Sequence, residues 1–541
     1  MDDRTQSSLT TLLVGLDAAC IEVLDPLFEE DALPNLQRLF EEGVYGPLES
    51  QVPPWTASAW PSLYTGVNPG KHGVFGFLSF DGYDADVVNA TDVRRRTLWE
   101  LLDYHGLRSV VVNVPVTAPP RAFDGALIPG YVGPEDPPCH PAGLLDDVRA
   151  EIGEYRVYPN DPEGRGDEAY LELIRMRGEA FRYLADRFDP DFGFVEFQQT
   201  DTVFHERPGD LELVRTVYEA VDEQIGSILE ATSPENVFVV SDHGMGRYDK
   251  YEFRVNEFLR DEGYVSVRHG GSGMPSWVSI QKRGLEKGQF EADDDASLDV
   301  MNSAMTVAAR FGLTTQRIAS VLQKLGLAEY VARVVPTDVK RAGTTQVDFP
   351  SSRAYMRDLI ELGIRINLEG REPDGTVPQD AYEDVRRELI SALKTVETPD
   401  GELLFEDVAP REEYFHGPEA HNAVDIVLVP SNYDHYLSAQ LYGEQFGDPT
   451  ESWNHKRWGV VAASGPAIDS HTPLGDAHLF DVTPTILATY GLPPDEEMDG
   501  TSLPIVDAHP PISYPPFEPA ERVETNDTEV EDRLANLGYL E

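Results

Sequence analysis

Four short runs of nearly unbroken apolar residues constrain this chain most: residues 10–16 (TTLLVGL), 192–197 (FGFVEF), 237–240 (VFVV) and 459–463 (GVVAA). A strand with one wet face alternates apolar and polar side chains, whereas a strand covered on both faces reads as a continuous apolar run. Between these runs lie stretches with helical spacing, clearest at 98–104, 170–188 and 211–229. Strands alternating with helices predict an α/β fold built on a mainly parallel sheet between two layers of helices. The middle of the chain departs from this pattern. Residues 297–335 are spaced as helix, 354–368 alternate as antiparallel strands do, and 380–393 return to helix before the strand pattern resumes near 424–429. We therefore expect a first part of the core over 1–270, a smaller helical and α+β insert or cap over 271–420, and a second part of the core over 421–509. A tail over 510–541 is expected to be extended where proline is frequent and then to form a short helix with Val530, Leu534, Leu537 and Leu540 on one face.

The charge narrows the range of partners. Against 43 Lys and Arg the chain carries 96 Asp and Glu, a formal −53, and the acids are spread through every segment instead of forming a tail. Self-repulsion on that scale opposes compaction in dilute buffer, but at molar salt the Debye length falls to about 3 Å. The surface is read as that of a salt-adapted protein, with no basic face for nucleic acid and no anionic-membrane site. Cys20 and Cys139 provide no disulfide framework, and the polar start Met-Asp-Asp-Arg-Thr-Gln resembles neither a signal peptide nor a span, so a cytoplasmic location is expected.

In open α/β sheets, reactive groups collect beyond the carboxyl ends of the strands. Asp17 follows the first run, Asp201 and His205 (QQTDTVFHE) follow the second, and Asp242 and His243 (VVSDHGMG) follow the third. His455 (SWNHKRWGV) precedes a run instead, so position alone does not assign it to the set. Each has a bland alternative: Asp17 as a helix cap, Asp201 with His205 as a solvated i, i+4 pair, His243-Gly244 as a turn. Together, three Asp and three His make the ligand chemistry that Zn²⁺ or Mn²⁺ prefers. Two such sites make a clamp for phosphoryl displacement. A nucleophile is still required, and Thr56, Ser58, Ser62 and Thr65 all compete within residues 52–73 (VPPWTASAWPSLYTGVNPGKHG). The glycines at 66–71 do not make a P-loop, because the spacing is one residue short and Lys71 is followed by His72.

Taken as a set, Asp17 after the first strand, PPWTASAWPSLYTGVNPGKHG, the D-x-x-x-H of 201–205, SDHGM at 241–245 and a late His before a strand ending in SGPAI resemble the type I phosphodiesterase and nucleotide pyrophosphatase branch of the alkaline phosphatase superfamily. The likeness is closer still to that superfamily's predicted phosphohydrolase or phosphomutase group of archaea and bacteria. It continues through INLEGREPDGTV (366–377), HLFDVTPTILATYGLPPDEEMDG (478–500) and RLANLGYLE at the end. The resemblance implies an alkaline phosphatase-like core and two divalent metal ions, Zn or Mn. Asp17, Asp242, His243 and the Thr56 hydroxyl would hold one ion, and Asp201, His205 and His455 the other. Thr56 would be the nucleophile, and the substrate a small-molecule phosphate mono- or diester. In place of the Asn that nucleotide pyrophosphatases use to hold a phosphoryl oxygen stands Phe77, with Asn68, Lys71 and Arg371 as other donors to weigh. A sulfatase is excluded, since neither cysteine lies in a C/S-x-P-x-R signature. A phosphomutase using the same phospho-threonine and a non-catalytic, metal-stabilised binding protein are the alternatives.

Overall fold

The computed structural model describes residues 9–159, 166–269 and 345–525, together with Val530 and Leu534. The expected helical stretch 297–335, and Leu537 and Leu540 of the expected tail helix, lie outside the described residues. An eight-stranded sheet forms the centre. In chain order its strands are β1 (Thr11–Leu16), β2 (Val44–Glu49), β3 (Ser109–Val112), β4 (Gly125–Ile128), β5 (Phe192–Phe197), β6 (Asn236–Val240), β7 (Trp458–Ser464) and β8 (Ala477–His478). Across the sheet they run β8-β2-β7-β6-β1-β5-β3-β4. Only β7 is antiparallel to its neighbours; β1, the most central of the apolar runs, pairs in parallel with β5 and β6.

All four apolar runs are strands of this sheet, and the burial explains why they read as they do. Leu12, Val14 and Leu16 of β1 enter one core with Leu24, Leu36, Phe181 and Val217 from the helices Ile21–Glu29, Pro34–Glu42, Asp167–Phe188 and Leu211–Thr232. Leu13 points the other way, into a core with Trp60, Leu63, Leu98 and Ile486 from Thr56–Thr65, Leu98–Tyr104 and Val482–Thr489. Since a strand's side chains alternate between faces, both sets must be apolar, and the run is continuous. The expected α/β class with a mainly parallel sheet between helices is the observed one.

A separate four-stranded antiparallel sheet, ordered Ala354–Tyr355, Gly363–Ile366, Ile426–Pro430, Phe405–Pro410, carries the alternation seen in 354–368. The helix Tyr382–Leu393 lays Val385, Leu389 and Leu393 into the core that this sheet shares with Phe77, Leu78 and Val87. Among the described residues no helix is long and apolar enough to cross a membrane.

Gly15 of β1 has a packing reason. A Cβ there would stand 2.6 Å from Cη2 of the fully buried Trp60 and 3.2 Å from Cγ of Glu196 on β5. Gly15→Ala should therefore force Trp60 aside and destabilise the protein by about 1–3 kcal/mol, read as a lower denaturation midpoint at fixed salt.

Candidate metal centre

The topology decides which residues meet. Asp17 follows β1, Asp201 and His205 lie on the helix Gln199–Glu206 that follows β5, and Asp242 and His243 follow β6. Thr56 opens the helix Thr56–Thr65 after β2. All these strands are parallel, so all these residues arrive at the same sheet edge. His455 reaches that edge because β7 runs the other way: the start of an antiparallel strand lies beside the ends of its parallel neighbours. A small strand, Trp453–Lys456, pairs with Gly244–Arg247 and sets His455 opposite Met245. All seven residues expected at the site are brought together, each nearly or wholly buried.

Two groups share the edge. In the first, His243 Nε2 lies 3.4 Å from Asp17 Oδ1, 3.2 Å from Asp242 Oδ2 and 3.1 Å from the Thr56 hydroxyl. In the second, Asp201 Oδ1 lies 3.2 Å from His205 Nε2 and 3.3 Å from His455 Nε2, and the two imidazole nitrogens are 3.0 Å apart. The His243 and His455 rings stack with centroids 3.6 Å apart and join the groups. Asp201, His243 and His455 converge closely enough to hold one cation, as do Asp17, Asp242 and His243.

The ring tautomers follow from the hydrogen bonds. His243 Nδ1 is 3.0 Å from the Gly244 carbonyl and His455 Nδ1 is 3.0 Å from the Pro54 carbonyl. A carbonyl only accepts, so each Nδ1 carries the proton and each Nε2 turns a lone pair toward the carboxylates. Acceptors then face acceptors. Asp17 Oδ1 and Asp242 Oδ2 have no hydrogen-bond partner among the described residues, while Trp60 Nε1–H steadies Asp17 Oδ2 at 3.3 Å and the Ala18 amide steadies Asp242 Oδ1 at 3.3 Å. Orphaned carboxylate oxygens beside a bare imidazole nitrogen fit a divalent cation.

Without a cation the electrostatics are unfavourable. Burial, then the neighbouring Asp242 and Asp201, push Asp17 well above the ordinary carboxyl range. Burial and Asp201 push Asp242 up to about 8. Burial also acts on Asp201, but His205 and His455 outweigh it and hold that carboxylate well below its usual value. Burial and the His455 ring keep His243 neutral. Burial opposes the charged form of His205 too, yet Asp201 and Glu451 raise it to about 10.

The competing hydroxyls are engaged elsewhere. Ser58 donates to the Trp55 carbonyl at 3.2 Å, Thr65 donates to that of Pro61, and Ser62 bonds Gln51 and His72. Only Thr56 among the four faces His243. The other donors weighed are likewise occupied: Asn68 and Lys71 bind Asp499, and Arg371 binds Asp425. Phe77 is fully buried, edge-on to Tyr131 with centroids 6.2 Å apart. One charged group was overlooked within an apolar run. Glu196 of β5 is wholly buried, accepts a 2.7 Å bond from Asn113 Nδ2, and is raised by burial and by Asp242. Its only sequence signal is a single acid inside FGFVEF.

A model of the type I phosphodiesterase / nucleotide pyrophosphatase family matches residues 11–455. The chain belongs to that family. Its fold is that of phosphonoacetate hydrolase from Sinorhizobium meliloti 1021, whose complex with phosphonoformate superposes with a TM-score of 0.53 at 17% identity, over 88% of this chain and 94% of that one. The phosphonoacetate complex of the same enzyme gives 0.52 at 17% identity over the same shares. Murine ectonucleotide pyrophosphatase / phosphodiesterase 5, in an inactive form with AMP, gives 0.48 at 13% identity over 90% of this chain and 95% of that one. No curated protein matches the chain in sequence. The family is one of hydrolases within the alkaline phosphatase superfamily, and the two buried Asp/His groups of this member fit metal ions.

These shifts imply a pH dependence. An acid whose folded pKa is raised, such as Asp242, takes up a proton on folding between its unfolded value near 4 and about 8, so its contribution to stability is lost as pH rises through that window. His205, raised above its unfolded value, contributes fully below about 6.5 and loses that contribution as pH rises toward about 10. Both act in one direction, while His243 and His455, held below the ordinary imidazole value, act the other way only up to about pH 6.5. Chelated protein should therefore lose stability from pH 7 to pH 9, and saturating Zn²⁺ or Mn²⁺ should abolish or reverse that slope in denaturant titrations at constant salt.

Proposed function

We propose that this protein is a two-metal phosphohydrolase that cleaves a phosphate mono- or diester through a phospho-threonine on Thr56. The observation that carries the reading is the Thr56 hydroxyl, 3.1 Å from His243 Nε2, with the Asp17–Asp242 pair and the Asp201–His205–His455 group on the same sheet edge. Asp17, Asp242, His243 and Thr56 would hold one cation, and Asp201, His205 and His455 the second. The cations, Zn²⁺ or Mn²⁺, would supply the positive charge that acidifies the Thr56 hydroxyl and stabilises the departing oxygen.

The protein's own groups do the positioning. Thr56 stands at the first turn of its helix, where the backbone dipole favours the anion that forms on its oxygen. Trp60, one turn on along that helix, fixes Asp17, so nucleophile and ligand move as one unit. The Gly244 and Pro54 carbonyls hold His243 and His455 in the ligating tautomer. In the first half-reaction the bond between Thr56 Oγ1 and phosphorus forms as the ester bond to the leaving oxygen breaks. In the second, water attacks phosphorus as the Thr56 Oγ1–phosphorus bond breaks, releasing phosphate, or a phosphomonoester from a diester, and regenerating the hydroxyl.

Within the family, the reading places the chain with the predicted phosphohydrolase or phosphomutase group, for which Phe77 in place of a phosphoryl-binding Asn is the supporting feature. It remains, as we read it, a salt-adapted cytoplasmic enzyme. Hydrolysis of p-nitrophenyl phosphate, bis-p-nitrophenyl phosphate and p-nitrophenyl sulfate in molar KCl, before and after chelation, tests the class. Release from a phosphate ester that a chelator stops is expected; release from the sulfate alone would overturn it. Thr56→Ala should lower kcat by more than about a thousandfold with metal content and fold nearly unchanged, and full activity in that variant would remove the nucleophile assignment. His455→Ala should release about half the bound metal in elemental analysis, because one of the two ligand groups loses a member.

A further inference from the structure

A cavity of about 920 Å³ lies behind the metal-ligand segments, within the size range of small-molecule sites. Its walls include Cys20, Phe204, Met245 and Trp453, close neighbours in sequence of Asp17, His205, His243 and His455 respectively. It does not lie on the nucleophile's side. Leu27, Phe204, Val214 and Met245 of the cavity belong to the core on one face of the sheet, whereas the Thr56–Thr65 helix packs through Ala57, Trp60 and Leu63 into the core on the other.

The lining has an aromatic and aliphatic floor with one unmatched cation. Trp453 lies against Phe204 with centroids 5.2 Å apart, and the Arg247 guanidinium stands 5.6 Å over the Trp453 ring. Three other cations of the rim are matched: Arg215 with Glu219, Lys456 with Asp434, and Arg457 with Glu49. Arg247 has no carboxylate ion pair among the described residues, in a chain where acids outnumber bases 96 to 43. A guanidinium held over an indole without an anion keeps N–H groups for bidentate bonding, and a carboxylate matches them. Glu22, also on the rim, is exposed like Arg247 and forms no ion pair with it among the described residues.

We propose that this cavity binds a small amphipathic acid, a planar aromatic body against Trp453 and Phe204 with one carboxylate on Arg247. The proposal is independent of the phosphohydrolase reading. The test is titration of 2-naphthoate into the full chain in molar KCl with EDTA, followed by calorimetry, so that binding to cations is removed. One saturable site is expected, weakened about tenfold or more by Arg247→Met and by replacing the probe with 2-naphthamide. Glu22→Gln should leave the affinity within about twofold, since only the cationic head contact is specific. Absence of saturable binding, equal affinity for acid and amide, indifference to Arg247→Met, or a loss in Glu22→Gln as large as that in Arg247→Met would each overturn the assignment. Arg247 is exposed, so its substitution leaves the core intact.

Discussion

Three aspartates, Asp17, Asp201 and Asp242, are buried together beside three imidazoles, and the rest of the site follows from that burden. Removing carboxylates from water costs several kcal/mol each unless charge or hydrogen bonds replace the lost solvation. The chain supplies a few donors, the Trp60 indole and the Ala18 amide among them, but His243 and His455, two of the three imidazoles, spend their ring N–H on backbone carbonyls. What remains is a surplus of lone pairs directed inward. Burial and like charge raise Asp17 and Asp242, which favours their neutral forms, and Asp201 with Glu451 favours the charged form of His205. Divalent cations would meet the surplus more fully, and their binding would release such protons, so metal affinity and pH would be linked through the same groups.

Surplus acceptors can be gathered only if several distant segments end at one place, and a parallel sheet does this without special loops. This part of the site was legible, because an Asp directly after a buried-strand run marks both the strand and its functional end. His455 was not legible by that rule. It precedes its strand, and only the antiparallel course of Trp458–Ser464 between β2 and β6 carries it to the shared edge. Strand direction is set by long-range pairing, which a local pattern does not encode, so the residue entered the set by family resemblance alone. Four strands of the sheet also escaped the reading of apolar runs. Val44–Glu49 contains Gly46 and Pro47, the Ala477–His478 strand has two residues, and Ser109–Val112 and Gly125–Ile128 have four each, too short to show a period. Glu196 escaped for the opposite reason, as an acid hidden in a convincing strand.

The choice among hydroxyls shows the same division. Thr56, Ser58, Ser62 and Thr65 were equivalent by composition and were separated in sequence only by the count back from the TG at 65–66. Helix geometry separates them physically. Residue 56 opens the helix with its hydroxyl 3.1 Å from His243 Nε2, while the later hydroxyls bond to backbone carbonyls or to the Gln51 and His72 side chains. Trp60 then packs under Gly15 and reaches Asp17, which ties helix, strand and ligand into one rigid corner.

The surface and the site set opposite demands on an anionic substrate. A chain with a formal −53 repels phosphate esters at long range in dilute buffer, and three of the carboxylates in that count, Asp17, Asp201 and Asp242, stand at the interior edge. In molar salt the field of the surface is screened within about 3 Å, so approach is neither opposed nor steered by it. Recognition then falls to groups that touch the substrate in a dry, buried setting, where salt does not enter. There ionised Asp201 faces charged His205, while burial favours the neutral forms of Asp17 and Asp242. Cations held at that edge would make the local field positive as well as supplying the chemistry, and the same ions that relieve the buried aspartates would make a binding place for a phosphoryl group. On the proposed reading, stability and substrate capture would both depend on one set of seven residues.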